Sequence, residues 1–181
     1  MVTAQLKPVA TDFKIGAAAV TIALVLTPLA NGFSRILWGW ISDYLGRERT
    51  MFTAFLLQAF FLLAATTLGR SGDVAFVVLM VLVFLTWGEL YVLFPALLAD
   101  FYGSRNSAQN YSFLYSAKGF ASLLGSGIAA TLFEKTGTWN YAFYGSAALA
   151  LLSALMALFV RRIPLPQKTG ERVLSVQTSE G

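Results

Sequence analysis

Polar residues in this chain gather in short clusters, and between them run apolar stretches long enough to cross a bilayer. A hydrocarbon core needs about 20 consecutive, mainly apolar residues per helix. The pattern predicts about five such helices, over residues 15–41, 51–68, 74–98, 107–133 and 141–160. The clusters at 42–50, 67–73, 100–106 and 134–140 then serve as tight connections. Pro28 interrupts the first stretch, but a proline in a membrane helix is tolerated where neighbours re-satisfy the freed carbonyl, so a kink rather than a break is expected. Residues 1–14 read as the end of a helix plus a loop, 15–163 as the spanning region and 164–181 as a polar tail. The start lacks the basic, apolar and small-residue succession of a secretory signal. The fold class that follows is all-α, a polytopic membrane helical bundle with short loops.

Composition agrees. Hydrophobic residues make up 57% and charged residues 12%, against roughly 25% charged in an average soluble domain. Cysteine and histidine are both absent, which removes disulfides, thiolate chemistry and His-based metal sites or triads. No helical face carries a carboxylate pair that could serve as acid and base, so an enzyme is not expected. Nothing calls for a cofactor or a metal. The net charge of +4 includes no basic block of the kind that binds nucleic acid. It fits orientation by loop charge instead: Arg47, Arg49, Arg105, Arg161, Arg162, Lys168 and Arg172 collect on one side, and Lys7, Lys14, Arg70 and Lys135 on the other. The richer side is expected to be cytoplasmic. That gives a multi-pass protein of the cell (inner or plasma) membrane with a cytoplasmic C-terminus.

Three charges lie inside the apolar stretches: Arg35, Glu89 and Lys118. Each costs at least ~2.5 kcal/mol on insertion scales, so such residues face a bundle interior or a water-filled cavity. At ~1.5 Å rise per residue, counted from the cytoplasmic end of each stretch, Arg35 lies ~12 Å deep, Glu89 ~16 Å and Lys118 ~18 Å, all near the midplane of a ~30 Å core. Helical spacing puts Tyr111, Tyr115, Lys118 and Ser122 on one stripe, Thr27, Asn31 and Arg35 on another, and Trp87 with Tyr91 on a third. Glu89 falls between Trp87 and Tyr91 in sequence and points to another side, where it either pairs with a neighbouring helix or moves a proton. Two midplane cations with aromatic walls suit a small carboxylate: arginine offers a bidentate fork, lysine a point charge, and tyrosine hydroxyls further donors. The competing reading is structural, with the cations paired to acids or reaching for the surface.

The first connection has its own pattern, with Gly39, Asp43, Gly46, Arg47 and Arg49 in GWISDYLGRER. Asp43 sits at a helix C-terminal end, where the dipole disfavours an anion, and is expected to find a cationic or helix-N-terminal partner. Gly46 suits a C-cap, and Gly39 would permit close helix approach.

This loop resembles the G-x-x-x-D-x-x-G-R-x-R pattern of the major facilitator superfamily, with Tyr44 where a basic residue is common. The wider text, NGFSRILWGWISDYLGRERTM, TWGELYVLFPALLADFYG and NYSFLYSAKG, is similar to the oxalate/formate antiporter family from Val2 to about Arg162. The resemblance implies secondary transport of a small carboxylate. It makes Arg35 and Lys118 the cationic substrate ligands, and Trp87, Tyr91 and Tyr115 the pocket aromatics, with tyrosine at the last position where tryptophan can stand. Gly39, Asp43, Gly46, Arg47 and Arg49 fall on the structural or gating loop. It further implies a twelve-span parent of which this chain matches the end of the seventh helix through the twelfth, so that a six-helix N-terminal half is the expected partner besides the lipid bilayer and the anion. Two other readings stay open at this point: a proton-coupled monocarboxylate (lactate- or pyruvate-like) carrier, with Glu89 as a coupling residue, and a non-transporting membrane binding or scaffold protein.

Overall fold

The computed structural model describes residues 2–103, 107–160 and 162. Arg105, Arg161 and the 164–181 tail with Lys168 and Arg172 lie outside them. Among the described residues the fold is all helical. Seven α-helices follow one another: α1 Val2–Asp12, α2 Ala17–Leu45, α3 Arg47–Thr67, α4 Asp73–Trp87, α5 Leu93–Tyr102, α6 Ser107–Thr136 and α7 Asn140–Val160. Two 3-10 turns, Leu68–Arg70 and Gly88–Tyr91, interrupt the succession.

The core forms where α1, α3, α4 and α7 meet. Leu6, Val9 and Phe13 from α1 and its exit loop, Leu62 from α3, Phe76, Met80 and Val83 from α4, and Trp139 and Phe143 at the start of α7 make one buried cluster. α3 packs chiefly along α7, and the reason is side-chain size. The buried positions of α7 are mostly alanines, Ala142, Ala147, Ala150, Ala154 and Ala157, and those of α3 include Ala54, Ala59 and Ala65. With no difference in apolarity between lipid tails and side chains, small residues that let backbones approach are what hold such helices together.

Large apolar side chains instead point outward, Ile36 at 72% and Leu123 at 75% exposure among them, as expected where lipid is the solvent. Among the described residues, four helical stretches are long and apolar enough to cross a membrane: Ala17–Leu45, Arg47–Arg70, Asp73–Tyr102 and Asn140–Val160. The expected count was about five. The remaining helix, α6, has 30 residues, a length of ~45 Å at 1.5 Å per residue. It matches the others in length but not in hydropathy, because Lys118 and a run of serines and tyrosines occupy it.

Both ends of the bundle are tied by charge. At one end the Arg70 guanidinium donates to Asp12 Oδ2 at 3.0 Å and to Asn140 Oδ1 at 3.1 Å, while stacking over Phe13 at 4.4 Å, and so joins α1, the first 3-10 turn and α7. Beside it, Asp73 Oδ1 accepts the Gly16 N–H at 2.9 Å and so caps the start of α2. At the other end Arg47 pairs with Asp100.

α2 runs unbroken through Pro28, as expected. The stretch at 74–98, expected to be one helix, is not. α4 stops at Trp87, a 3-10 turn spans Gly88–Tyr91, and α5 begins at Leu93. The cause is Pro95, which has no N–H to donate to the Tyr91 carbonyl and whose ring collides with it. In the first turn of a new helix the missing N–H costs nothing, and Pro95 sits in the first turn of α5. The end of α4 is strapped to α2 by Trp38 Nε1–H, which donates to the Leu85 carbonyl at 2.8 Å. Carbonyls in the last turn of a helix need such outside donors.

Candidate functional site

The broken span matters because its turn lies directly against α2. A Cβ added to Gly88 would fall 1.6 Å from Ser34 Oγ and 2.9 Å from the Asn31 carbonyl oxygen. At Gly39, the glycine expected to permit close approach, a Cβ would only touch Val92 Cγ1 at 3.4 Å. The intimate contact between α2 and its neighbour is therefore made by Gly88, and it fixes where the next residues of the turn point.

Tyr91 is the residue this placement serves. Arg35 of α2 lies over the Tyr91 ring with Cζ 4.3 Å from the centroid. From α6, Lys118 Nζ approaches the same ring to 3.7 Å and donates a hydrogen bond to the Tyr91 hydroxyl. The Tyr115 ring, one turn earlier on α6, lies 5.1 Å from the same ammonium. Two cations that are far apart in sequence thus converge on one tyrosine. Neither forms an ion pair with an acid among the described residues, where the two salt bridges are Arg47–Asp100 and Arg70–Asp12 at the bundle ends. Their distances to one ring centroid hold the two charges within about 8 Å of each other, where they repel by at least about 2 kcal/mol at an effective dielectric of ~20. The tyrosine's negative ring face and hydroxyl oxygen offset part of that, and an anion would offset more.

A cavity of about 270 Å³ opens beside Lys118, between the 88–91 turn with α5 on one side and α6 on the other. Tyr91, Tyr111, Tyr115 and Lys118 supply its polar groups, and Leu90 and Phe94 its apolar wall. At ~30 Å³ of liquid volume per water, it has room for several waters or one small organic anion, and it lies at the small end of ligand sites. The Tyr111 and Tyr115 rings pack on each other at 5.7 Å, so the wall along α6 is a tyrosine ladder ending at the ammonium. Tyr91→Phe keeps the ring under Arg35 and removes the oxygen that Lys118 holds. A hydrogen bond of about 0.5–1.5 kcal/mol net corresponds to roughly two- to tenfold weaker anion binding. Unchanged affinity in a radiolabel binding assay would show that the hydroxyl takes no part.

The expected residues divide accordingly. Arg35, Tyr91, Tyr115 and Lys118 come together. Trp87 stands apart, its ring packed on Phe84 at 5.5 Å and not on the cavity wall. Tyr111 lines the cavity although the resemblance assigned it nothing; its place four residues before Tyr115, on the Lys118 stripe, was the available signal. Phe94 and Leu90 gave none, because the break at 88–91 resets which residues of that stretch share a face. Of the Thr27, Asn31, Arg35 stripe, Thr27 is buried with its hydroxyl on the Ala23 carbonyl at 2.8 Å, and only Arg35 emerges at the site.

In the loop, Gly46 has φ 84 and its N–H closes α2 on the Ser42 carbonyl at 3.0 Å, a conformation that favours glycine. Asp43 is exposed and has no ion-pair partner among the described residues, contrary to expectation. Arg47 instead reaches Asp100 at the end of α5, and Arg49 is exposed.

The described helices thus form a polytopic membrane bundle with a small, tyrosine-walled cavity between them. The chain matches the Major Facilitator Superfamily over residues 1–178 and belongs to it. It is 36% identical over 160 residues, 88% of its length, to the oxalate:formate antiporter of Oxalobacter formigenes. It is 29% identical over 86 residues, 48% of its length, to apicoplast pyruvate carrier 2 of Toxoplasma gondii. These stretches span 38% and 13% of the two relatives. The chain is thus a multi-pass membrane protein of a transporter superfamily.

Proposed function

We propose that this protein carries small carboxylates across a cell membrane, by anion exchange of the oxalate and formate type, with Arg35 and Lys118 as the ligands of the anion. The observation that supports this most is their convergence on Tyr91 beside a cavity of small-anion size, with no acid paired to either among the described residues. A carboxylate entering there meets the Lys118 ammonium and the tyrosines, with Arg35, itself not part of the cavity lining, on the Tyr91 ring beside them. The similarity to an oxalate:formate antiporter supports the same cargo class. Because the chain spans about 38% of that relative, we further propose that a second helical unit, the N-terminal half implied by the superfamily, closes the cavity from the exposed side of Arg35. Substrate between two rocking units would then face the two sides of the membrane in turn. Residues 164–181 would lie on the cytoplasmic side, with the arginine-rich loops.

The test is binding of labelled oxalate to the protein in lipid nanodiscs, with formate, lactate and pyruvate as competitors. Oxalate binding displaced by formate, and poorly by lactate or pyruvate, is the expected result. Displacement chiefly by lactate or pyruvate would move the cargo to monocarboxylates. Binding of none of them would leave an assembly role for the charges.

A further inference from the structure

Among the described residues, Glu89 is the one charged residue with a buried side chain, at 0% exposure. Neither of its carboxyl oxygens has a hydrogen-bond partner among the described residues. The turn that carries it packs against α2, α4 and α5, so the charged and titratable groups on those helices can be taken in turn. Asp73 is at the far end of α4, on the Gly16 N–H. Asp100 is paired with Arg47. Asp43, Tyr44 and Tyr102 are exposed. Tyr91, on the same turn, faces the two cations. Arg35 alone is a cation at this contact: the neighbouring residue Ser34 is the one pressed against Gly88, but the guanidinium is turned onto the Tyr91 ring and makes no salt bridge to Glu89. Asn31 Oδ1, on the same part of α2, is also buried without a donor. An ionised carboxylate with neither cation nor N–H donor does not persist in such packing, and it neutralises instead. A carboxylic acid fits, and its O–H is the kind of donor this contact lacks.

We propose that Glu89 is a proton-binding site, distinct from the anion cavity and linked to it through Arg35. While Arg35 lies on Tyr91, Glu89 holds a proton. When Glu89 releases that proton to water, its carboxylate draws Arg35 away from Tyr91 and becomes its ion-pair partner. An anion in the cavity keeps Arg35 on the Tyr91 side and so favours the protonated form, and the two ligands bind with positive linkage. The linkage rests on the carboxylate reading of the cavity; the proton site does not.

Two readouts on the protein in nanodiscs separate these. Infrared difference spectroscopy should show the C=O stretch of a protonated carboxylic acid, lost in Glu89→Gln and retained at a shifted position in Glu89→Asp. Oxalate affinity, measured from about pH 6 to 8, above the ordinary carboxyl range, should fall with rising pH by up to tenfold per unit, the limit for one linked proton. Glu89→Gln, neutral at every pH, should bind oxalate with a flat profile. Absence of the band in the wild type, or its persistence in Glu89→Gln, overturns the proton site. An equally steep pH profile in Glu89→Gln overturns the linkage. A band that behaves as expected in a protein that binds no oxalate upholds the proton site and removes the carboxylate reading along with the linkage.

Discussion

Lys118→Ala is expected to weaken oxalate binding by two to three orders of magnitude while leaving the fold intact. Truncating one member of a desolvated charge pair costs about 2–5 kcal/mol, and each 1.4 kcal/mol is roughly tenfold in affinity. The fold should survive because no acid among the described residues depends on Lys118 for its charge, so its removal strands no carboxylate. Arg35→Ala should behave alike. Arg35→Lys should fall between, because it keeps the charge and loses the planar fork that matches a carboxylate. The measurements are labelled-oxalate binding and, on the same samples, the melting midpoint in detergent. A large drop in melting midpoint, with no response of either midpoint or binding to any carboxylate, would instead assign both cations to helix assembly.

Gly88→Ala should be strongly damaging for a single added methyl group. The added carbon would meet Ser34 Oγ at 1.6 Å, which a rotamer change could relieve, but it would also meet the Asn31 carbonyl oxygen and Ser34 Cβ at 2.9 Å, which it could not. The helices must separate, and overpacking of this kind costs about 1–3 kcal/mol. Since the turn carries both Glu89 and Tyr91, oxalate affinity should fall with stability. Gly39→Ala is the matched control: it meets only Val92 Cγ1 at 3.4 Å and should be nearly neutral. Equal melting midpoints for the two alanine variants would mean that the contact between α2 and the turn is looser than it stands here.

Much of the architecture was legible in the sequence because it depends on local rules. Stretches of apolar residues at the length of a bilayer became helices, and the helix ends fall inside the polar clusters, although most of the 42–50 cluster is itself helical and only Gly46 separates α2 from α3. Gly46 ended its helix at positive φ, where a side chain would be strained. The break in the 74–98 stretch was also written there, in Gly88 and Pro95, but the run of apolar residues around them masked it. Counting that stretch as one α-helix kept a constant rise and a constant face per residue, and a 3-10 turn changes both. This is why Leu90 and Phe94 could not be assigned to the cavity in advance, and why Trp87, grouped with Tyr91 by helical spacing, points elsewhere.

By itself, the sequence determined that the chain is a helical membrane protein and that Arg35, Glu89 and Lys118 must have reasons to be inside it, because water-to-lipid transfer penalises a charge whatever its neighbours are. Which of these three charges meet was decided by the tertiary structure alone. Burial and pairing depend on the rotation and closeness of separate helices, and at this site the close approach is that of the bare backbone at Gly88 to α2. That packing set two cations on one tyrosine and left the single acid among them enclosed without a partner.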